Sequence, residues 1–199
     1  MTELVGEPVE TYAGREAPRE LETERLLLRQ WWADDFEPIA AFCADEASMR
    51  YVGGVCDRHA AWRKFAVFPG HWALRGFGFW AVEEKATGRL VGPIGLYYPD
   101  GWPGLELGYW AMAAARGKGF VTEAARAAKR IAFERLRAKT LISCIMPGNA
   151  ATQRVAARLG ARYARTIDLR GEPCGIFLHV PDDGGTTAPA AARTREVMP

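Results

Sequence analysis

Arg116-Gly117-Lys118-Gly119-Phe120-Val121-Thr122-Glu123 stands directly between a β-patterned segment and a long run of helix formers. Glycines let the backbone pass close to a ligand, and a helix starting just after them offers unpaired N–H groups and a partial positive charge. That combination suits a diphosphate. Arg116 and Lys118 can add phosphate contacts. The plainer reading is a strand-to-helix joint with two solvated basic side chains. A second stretch, Asn149-Ala150-Ala151-Thr152-Gln153-Arg154-Val155-Ala156-Ala157-Arg158-Leu159-Gly160, follows another β-patterned run and puts Asn149 at a helix mouth with Thr152 one turn on. A carboxamide there can both donate to and accept from a ligand amide. As an ordinary N-cap it would contribute about 1 kcal/mol instead.

Other motif matches fail on context. Gly76-x-Gly78-x-x-Ala81 has the letters of a dinucleotide fingerprint, but Val82-Glu83-Glu84-Lys85 and a turn follow where a helix is required. Gly117-Lys118 is followed by Gly119, not Ser or Thr, so it is no Walker A loop. Cys43, Cys56, Cys144 and Cys174 form no C-x-x-C pair and have no His at metal spacing, so they read as reduced thiols and no metal is expected. His59, His71 and His179 accompany no nucleophile pattern. Trp31, Trp32, Trp62, Trp72 and Trp102 can line a pocket or fill the core.

The elements that must hold these residues alternate between the two periodicities. Arg25 to Gln30 reads as a first strand, and Asp34 with Glu37 resembles a capping box opening a helix through Phe42. A second helix is expected from Asp57, with Trp62, Phe65 and Ala66 as its apolar face, ended or kinked by Pro69. Phe77 to Glu84 and Arg89 to Tyr98 read as two strands joined at Ala86-Thr87-Gly88, the second weakened by Pro93. Leu105 to Trp110 alternates, with Leu105, Leu107 and Tyr109 on one face and Glu106, Gly108 and Trp110 on the other. A helix from Thr122, a buried strand over Thr140 to Met146, a helix from Asn149 to Leu159 and a last strand over Ile176 to Val180 complete the pattern. The fold class is α/β (α+β), with one mixed sheet.

Composition bounds the function. With 199 residues, 49% hydrophobic and 25% charged, the chain can bury a core without disulfides or metals. A formal net charge of +2 gives no large positive field, so nucleic acid is not expected as the main partner. The N-terminus lacks a basic and an apolar region, and no apolar run reaches about 18 residues, which points away from the membrane and toward the cytoplasm. Residues 1–20 read as an extension rather than core, 21–180 as one catalytic domain, and 181–199 as a flexible tail.

The two ligand-shaped stretches resemble the coenzyme-A-binding motifs of the general-control-type N-acetyltransferase (GNAT) superfamily. Arg116-x-x-Gly119-x-Val121 is similar to Gln/Arg-x-x-Gly-x-Gly/Ala, departing at Val121. Asn-x-x-Thr-x-x-Val-x-x-Arg-Leu-Gly from Asn149 is similar to the branch containing ribosomal-protein N-terminal acetyltransferases and related resistance enzymes. Glu24 to Arg29, Gly76 to Val82 and Leu107 to Trp110 fit it too, so the resemblance covers residues 21–180. Departures are Ala113 for a frequent Pro, Ala161 for a common Phe, and Ala156 where many members carry a Tyr acting as general acid.

The resemblance implies a single mixed, mostly antiparallel sheet flanked by helices, with strands splayed near Trp110 and Ile145. It implies acetyl-coenzyme A as acyl donor, its diphosphate at Gly117, Lys118, Gly119, Phe120, Val121 and Thr122, with Ala111, Met112, Arg116 and Asn149 also binding it. A backbone N–H near Met112 would meet the oxyanion, Glu106 would take the proton of the attacking amine, and the Thr152 hydroxyl would donate to the departing sulfur. The implied acceptor is a primary amine, on a protein N-terminus or a small molecule, served by a monomer or homodimer. A coenzyme-A-sensing module without turnover and a cofactor-free interaction domain are the alternatives.

Overall fold

The computed structural model describes Tyr12 and residues 14–182. Its frame is an eight-stranded sheet in the order β1-β2-β3-β4-β5-β6-β8-β7. The strands are β1 (Leu21–Glu22), β2 (Leu26–Arg29), β3 (Phe79–Glu84), β4 (Arg89–Tyr97), β5 (Glu106–Tyr109), β6 (Leu141–Ile145), β7 (Arg162–Leu169) and β8 (Glu172–His179). The helices are α1 (Phe36–Ala44), α2 (Glu46–Met49), α3 (Arg58–Arg75), α4 (Phe120–Glu134) and α5 (Ala150–Arg158). The mixed, mostly antiparallel sheet with flanking helices matches the expected class.

Every neighbouring pair is antiparallel except β5 and β6, whose parallel ladder holds the single register pair Glu106↔Ile142. Parallel neighbours need a crossover, and here it is α4. The helix packs on β2, β4 and β5 through Ala124, Ala125, Ala128 and Ala132, small side chains that let it close on the sheet. One apolar core, with Leu26, Leu28, Trp80, Ile94, Leu96 and Leu107, lies beneath α4. A second gathers Phe36, Ile39, Phe42, Phe65, Phe68 and Phe79, with Trp110 packed against it.

Several sequence expectations need correction. Asp34 does not cap α1: the helix begins at Phe36 after a tight turn, and Asp35 bends back to accept from Trp32 N at 2.8 Å and to pair with buried Arg29. The buried guanidinium requires that carboxylate. Asp57 does cap α3, accepting from Ala60 N at 2.7 Å, but the buried face is Ala61, Phe65, Phe68 and Trp72, while Trp62 and Ala66 are exposed. Pro69 lies on the exposed face and the helix continues through it to Arg75. Pro93 lies inside β4, where its donor-less edge faces β5 at the point where that ladder ends; Trp110 N donates to Pro93 O at 3.0 Å beyond the last register pair, Ile94↔Tyr109. No N–H is needed there.

The strand β7 was not anticipated, and β8 begins four residues before the expected Ile176. Residues Arg162 to Arg165 are exposed on both sides, so no alternating apolar pattern marks this edge strand. At the other end, part of the expected extension enters the core: Tyr12 and Ala17 are buried, and Trp80 Nε1 donates to Pro18 O at 3.1 Å. Of the expected tail, 181–199, all but the first two residues lie outside the described residues.

Candidate active site

Strand β5 delivers the chain into the loop preceding α4, so the loop sits at the carboxyl end of a parallel strand, where open sheets bind ligands. Gly117 and Gly119 have φ of 77° and 81°, left-handed values that a side chain resists. Gly119 occupies the N-cap of α4 and supplies no side-chain acceptor, and Glu123 N donates to Gly119 O at 3.1 Å. By contrast, Asp45, Asp57 and Asn149 cap α2, α3 and α5. The amides of Phe120, Val121 and Thr122 are thus left for an anion. A cleft of about 480 Å³ adjoins this start, lined by Glu24, Arg25, Gly119, Thr122, Glu123, Arg126 and Arg158. The residues present fit a diphosphate-bearing donor.

Arg116 is engaged within the protein: Nε donates to Ala111 O at 3.1 Å and Nη2 to Ser48 Oγ at 2.7 Å. It ties the loop to α2, so its guanidinium is turned to the protein. Lys118 Nζ lies 5.7 Å from the centre of the Phe120 ring.

Where β5 and β6 part, side chains lace the seam. Ser143 Oγ donates to Leu107 O at 2.7 Å, and Cys144 N, which has lost its ladder partner, donates to Glu106 Oε1 at 3.1 Å. Trp102 Nε1 donates to Glu106 Oε2 at 2.7 Å. Burial raises the Glu106 carboxyl to about 7, against the opposing pull of these two donors. A buried carboxylate titrating near neutrality has the proton affinity a general base needs. Met112 N is committed to Val91 O at 2.9 Å, as Trp110 N is to Pro93 O, so strand alternation turns the N–H of Ala111 toward the seam.

The start of α5 closes the site. Asn149 Oδ1 accepts from Thr152 N at 3.2 Å, so Asn149 caps the helix through its side-chain oxygen. The group it caps is the Thr152 amide N–H, not the Thr152 hydroxyl. Tyr109 OH donates to Thr152 O at 3.2 Å, joining the end of β5 to α5. Burial, with the Glu106 charge, pushes the Tyr109 phenol up and keeps it a donor. Sequence reading gives Tyr109 no partner and leaves Trp102 between pocket and core; the fold brings Tyr109 to Thr152 and the Trp102 indole onto Glu106, four residues on.

Behind the seam, Ser143 has one proton and gives it to Leu107, so His179 Nε2, 2.9 Å away, must donate to Ser143 Oγ. Its Nδ1 is buried without a hydrogen-bond partner. Burial, aided by the Lys129 ammonium and opposed by Asp182, lowers His179 to about 4. Between pH 6.5 and 4 the unfolded chain binds a proton that folded His179 refuses, so stability falls as pH drops. Glu106 acts oppositely: from pH 4.5 to about 7 the folded carboxyl keeps a proton that the unfolded chain releases, so stability falls as pH rises. Displacements of this size correspond to about 3 kcal/mol each, and they offset where the windows overlap. Urea unfolding of the wild type is therefore expected to vary little between pH 4.5 and 6.5. Glu106→Gln should gain stability with rising pH there and His179→Gln should lose it; two profiles parallel to the wild type would contradict this.

Comparison with known proteins agrees with the geometry. Residues 25–162 match the acetyltransferase (GNAT) domain model. The uncharacterized protein YkkB of Bacillus subtilis strain 168 is 27% identical over 169 residues, covering 81% of this chain and 95% of the relative. The crystal structure of an acetyltransferase from Agrobacterium tumefaciens C58 is 30% identical with a TM-score of 0.76, covering 82% of this chain and 95% of that one. A ribosomal-protein-S5-alanine acetyltransferase from Vibrio fischeri shares the fold at 15% identity and a TM-score of 0.63, covering 84% of this chain and 99% of that one. Among the described residues no helix is long and apolar enough to cross a membrane. With its splayed β5 and β6, its crossover helix and its uncapped glycine loop, the chain belongs to the GNAT acetyltransferase family.

Proposed function

We propose that this chain transfers the acetyl group of acetyl-coenzyme A to a primary amine by direct attack in a ternary complex. The observation that carries the reading is Glu106, a buried carboxylate held by Trp102 and Cys144 at the seam between β5 and β6 and titrating at about 7. An amine of lysine type is mostly protonated at neutral pH, and Glu106 takes its proton directly or through a water. A terminal α-amine, with its lower pKa, makes a smaller demand. Acetyl-coenzyme A supplies the activated thioester. The amides of Phe120 to Thr122 hold its diphosphate, Asn149 meets its pantetheine arm, and the Ala111 N–H faces the developing oxyanion. Such a contact contributes roughly a hundredfold to a thousandfold in rate.

Thr152 donates to the departing thiolate. Thr152→Ala should then lower turnover more than affinity for the donor, because the contact strengthens as the carbon–sulfur bond breaks. Thr152→Ser should largely restore it. Equal losses in rate and binding would assign Thr152 to the helix start alone.

The acceptor is an amine-bearing small molecule or a protein N-terminus, met in the cytoplasm by a monomer or homodimer, with neither nucleic acid nor membrane as partner. An acceptor panel assayed for free thiol released from acetyl-coenzyme A tests the reading. Amines, and not matched alcohols, should drive release. Tight donor binding without release by any amine would instead support a sensing module.

A further inference from the structure

The turn between β1 and β2 reaches across the molecule to the start of α4. There Glu123 Oε1 accepts from Thr23 Oγ1 at 2.6 Å and from Arg25 N at 3.0 Å, while Oε2 takes Arg25 Nε at 2.7 Å and Nη2 at 2.6 Å. One carboxylate thus fixes both the backbone and the guanidinium of Arg25. Burial alone would raise Glu123, but these bonds outweigh it and hold the carboxyl below its ordinary value, so it stays charged. The remaining arm of the guanidinium goes to the glycine loop: Nη1 donates to Lys118 O at 3.1 Å, with the group 4.7 Å from the centre of the Phe120 ring.

The Lys118–Gly119 peptide has a glycine on either side of Lys118, where torsional restraint is weakest. In a trans peptide the carbonyl and the following N–H point in opposite directions, and the described chain contains no cis bond. Holding Lys118 O therefore also aims the N–H of Gly119. Stability alone does not account for so many bonds on one carboxylate, since the Arg25 side chain is 45% exposed and exposed ion pairs contribute little.

We propose that Arg25, clamped by Glu123, is a positioning residue that presets the Lys118–Gly119 peptide and the amides after it for the donor's diphosphate. This rests on the reading that the loop takes acetyl-coenzyme A. Arg25 need not touch the phosphates; it acts through the peptide it holds.

The test compares acetyl-coenzyme A with S-acetylpantetheine, which carries the thioester but no diphosphate. KM and kcat are measured for the wild type, Arg25→Ala, Arg25→Lys and Glu123→Gln, the last keeping shape should an arginine variant fail to fold. All three variants should raise KM for acetyl-coenzyme A by roughly tenfold, leave kcat at saturation within about twofold, and leave KM for S-acetylpantetheine unchanged. Equal rises in KM for both donors, or none for either, would overturn the proposal. So would wild-type KM in Arg25→Lys, which would make Arg25 a plain charge. If the wild type itself does not prefer acetyl-coenzyme A over S-acetylpantetheine, the diphosphate assignment fails instead.

Discussion

Glu106→Gln is expected to lower turnover by about a hundredfold to ten-thousandfold, the loss typical of removing a general base. The substitution keeps the size of the side chain but not its charge or its proton affinity. Trp102 Nε1 and Cys144 N both point donors at the carboxylate, so one of them would face the amide NH2 of a glutamine. An unpaired buried donor costs about 1–3 kcal/mol, so rates are compared per folded molecule. The pH profile separates chemistry from damage. Wild-type turnover should rise through about pH 7 as the carboxyl ionises. The variant's residual rate should climb toward the acceptor's own pKa, because only free amine from solution can then react. A variant with the wild-type rate and profile would leave Glu106 as a structural clasp between β5 and β6.

Replacing Gly119 with valine or leucine should abolish donor binding while the fold survives. At φ 81° a side chain costs roughly 1–2 kcal/mol, which a protein of this size tolerates. A Cβ there would meet Arg25 Nη2 at 3.5 Å, an ordinary contact, so no core group has to move. The damage falls on the loop, whose amides lose their path and their room around the anion. Calorimetric titration with coenzyme A reads the effect directly, beside an unchanged unfolding transition. Unaltered affinity would remove the diphosphate from this loop.

The helices and central strands were legible because their periods are strong. The alanine-rich run of α4, the Asn149 cap of α5 and the alternation around Glu106 depend on neighbours within one or two turns. What sequence could not supply are long-range partners. Nothing near Arg25 announces Glu123, 98 residues away. The seam shows the same limit: the free N–H of Cys144 exists only because β6 leaves β5 after one register pair, a property of topology and not of local pattern. Helix α3 was misread for a different reason. Trp62 is large and apolar, but the buried face runs through Ala61, Phe65, Phe68 and Trp72, while the Trp62 ring packs edge-on to Phe36 at the surface. Exposed β7 carried no apolar alternation to detect.

The most direct measurement follows both products in one reaction, with acetyl-coenzyme A carrying an isotope-labelled acetyl group and with a primary amine identified from the panel. Free thiol and acetylated amine are quantified together, and the intact protein is weighed by mass spectrometry. The expected result is one labelled acetyl on the amine nitrogen for each thiol released, with no label on the protein and both products strongly reduced in Glu106→Gln. Label accumulating on the protein would contradict direct attack in a ternary complex, and thiol released without acetylated amine would contradict transfer itself.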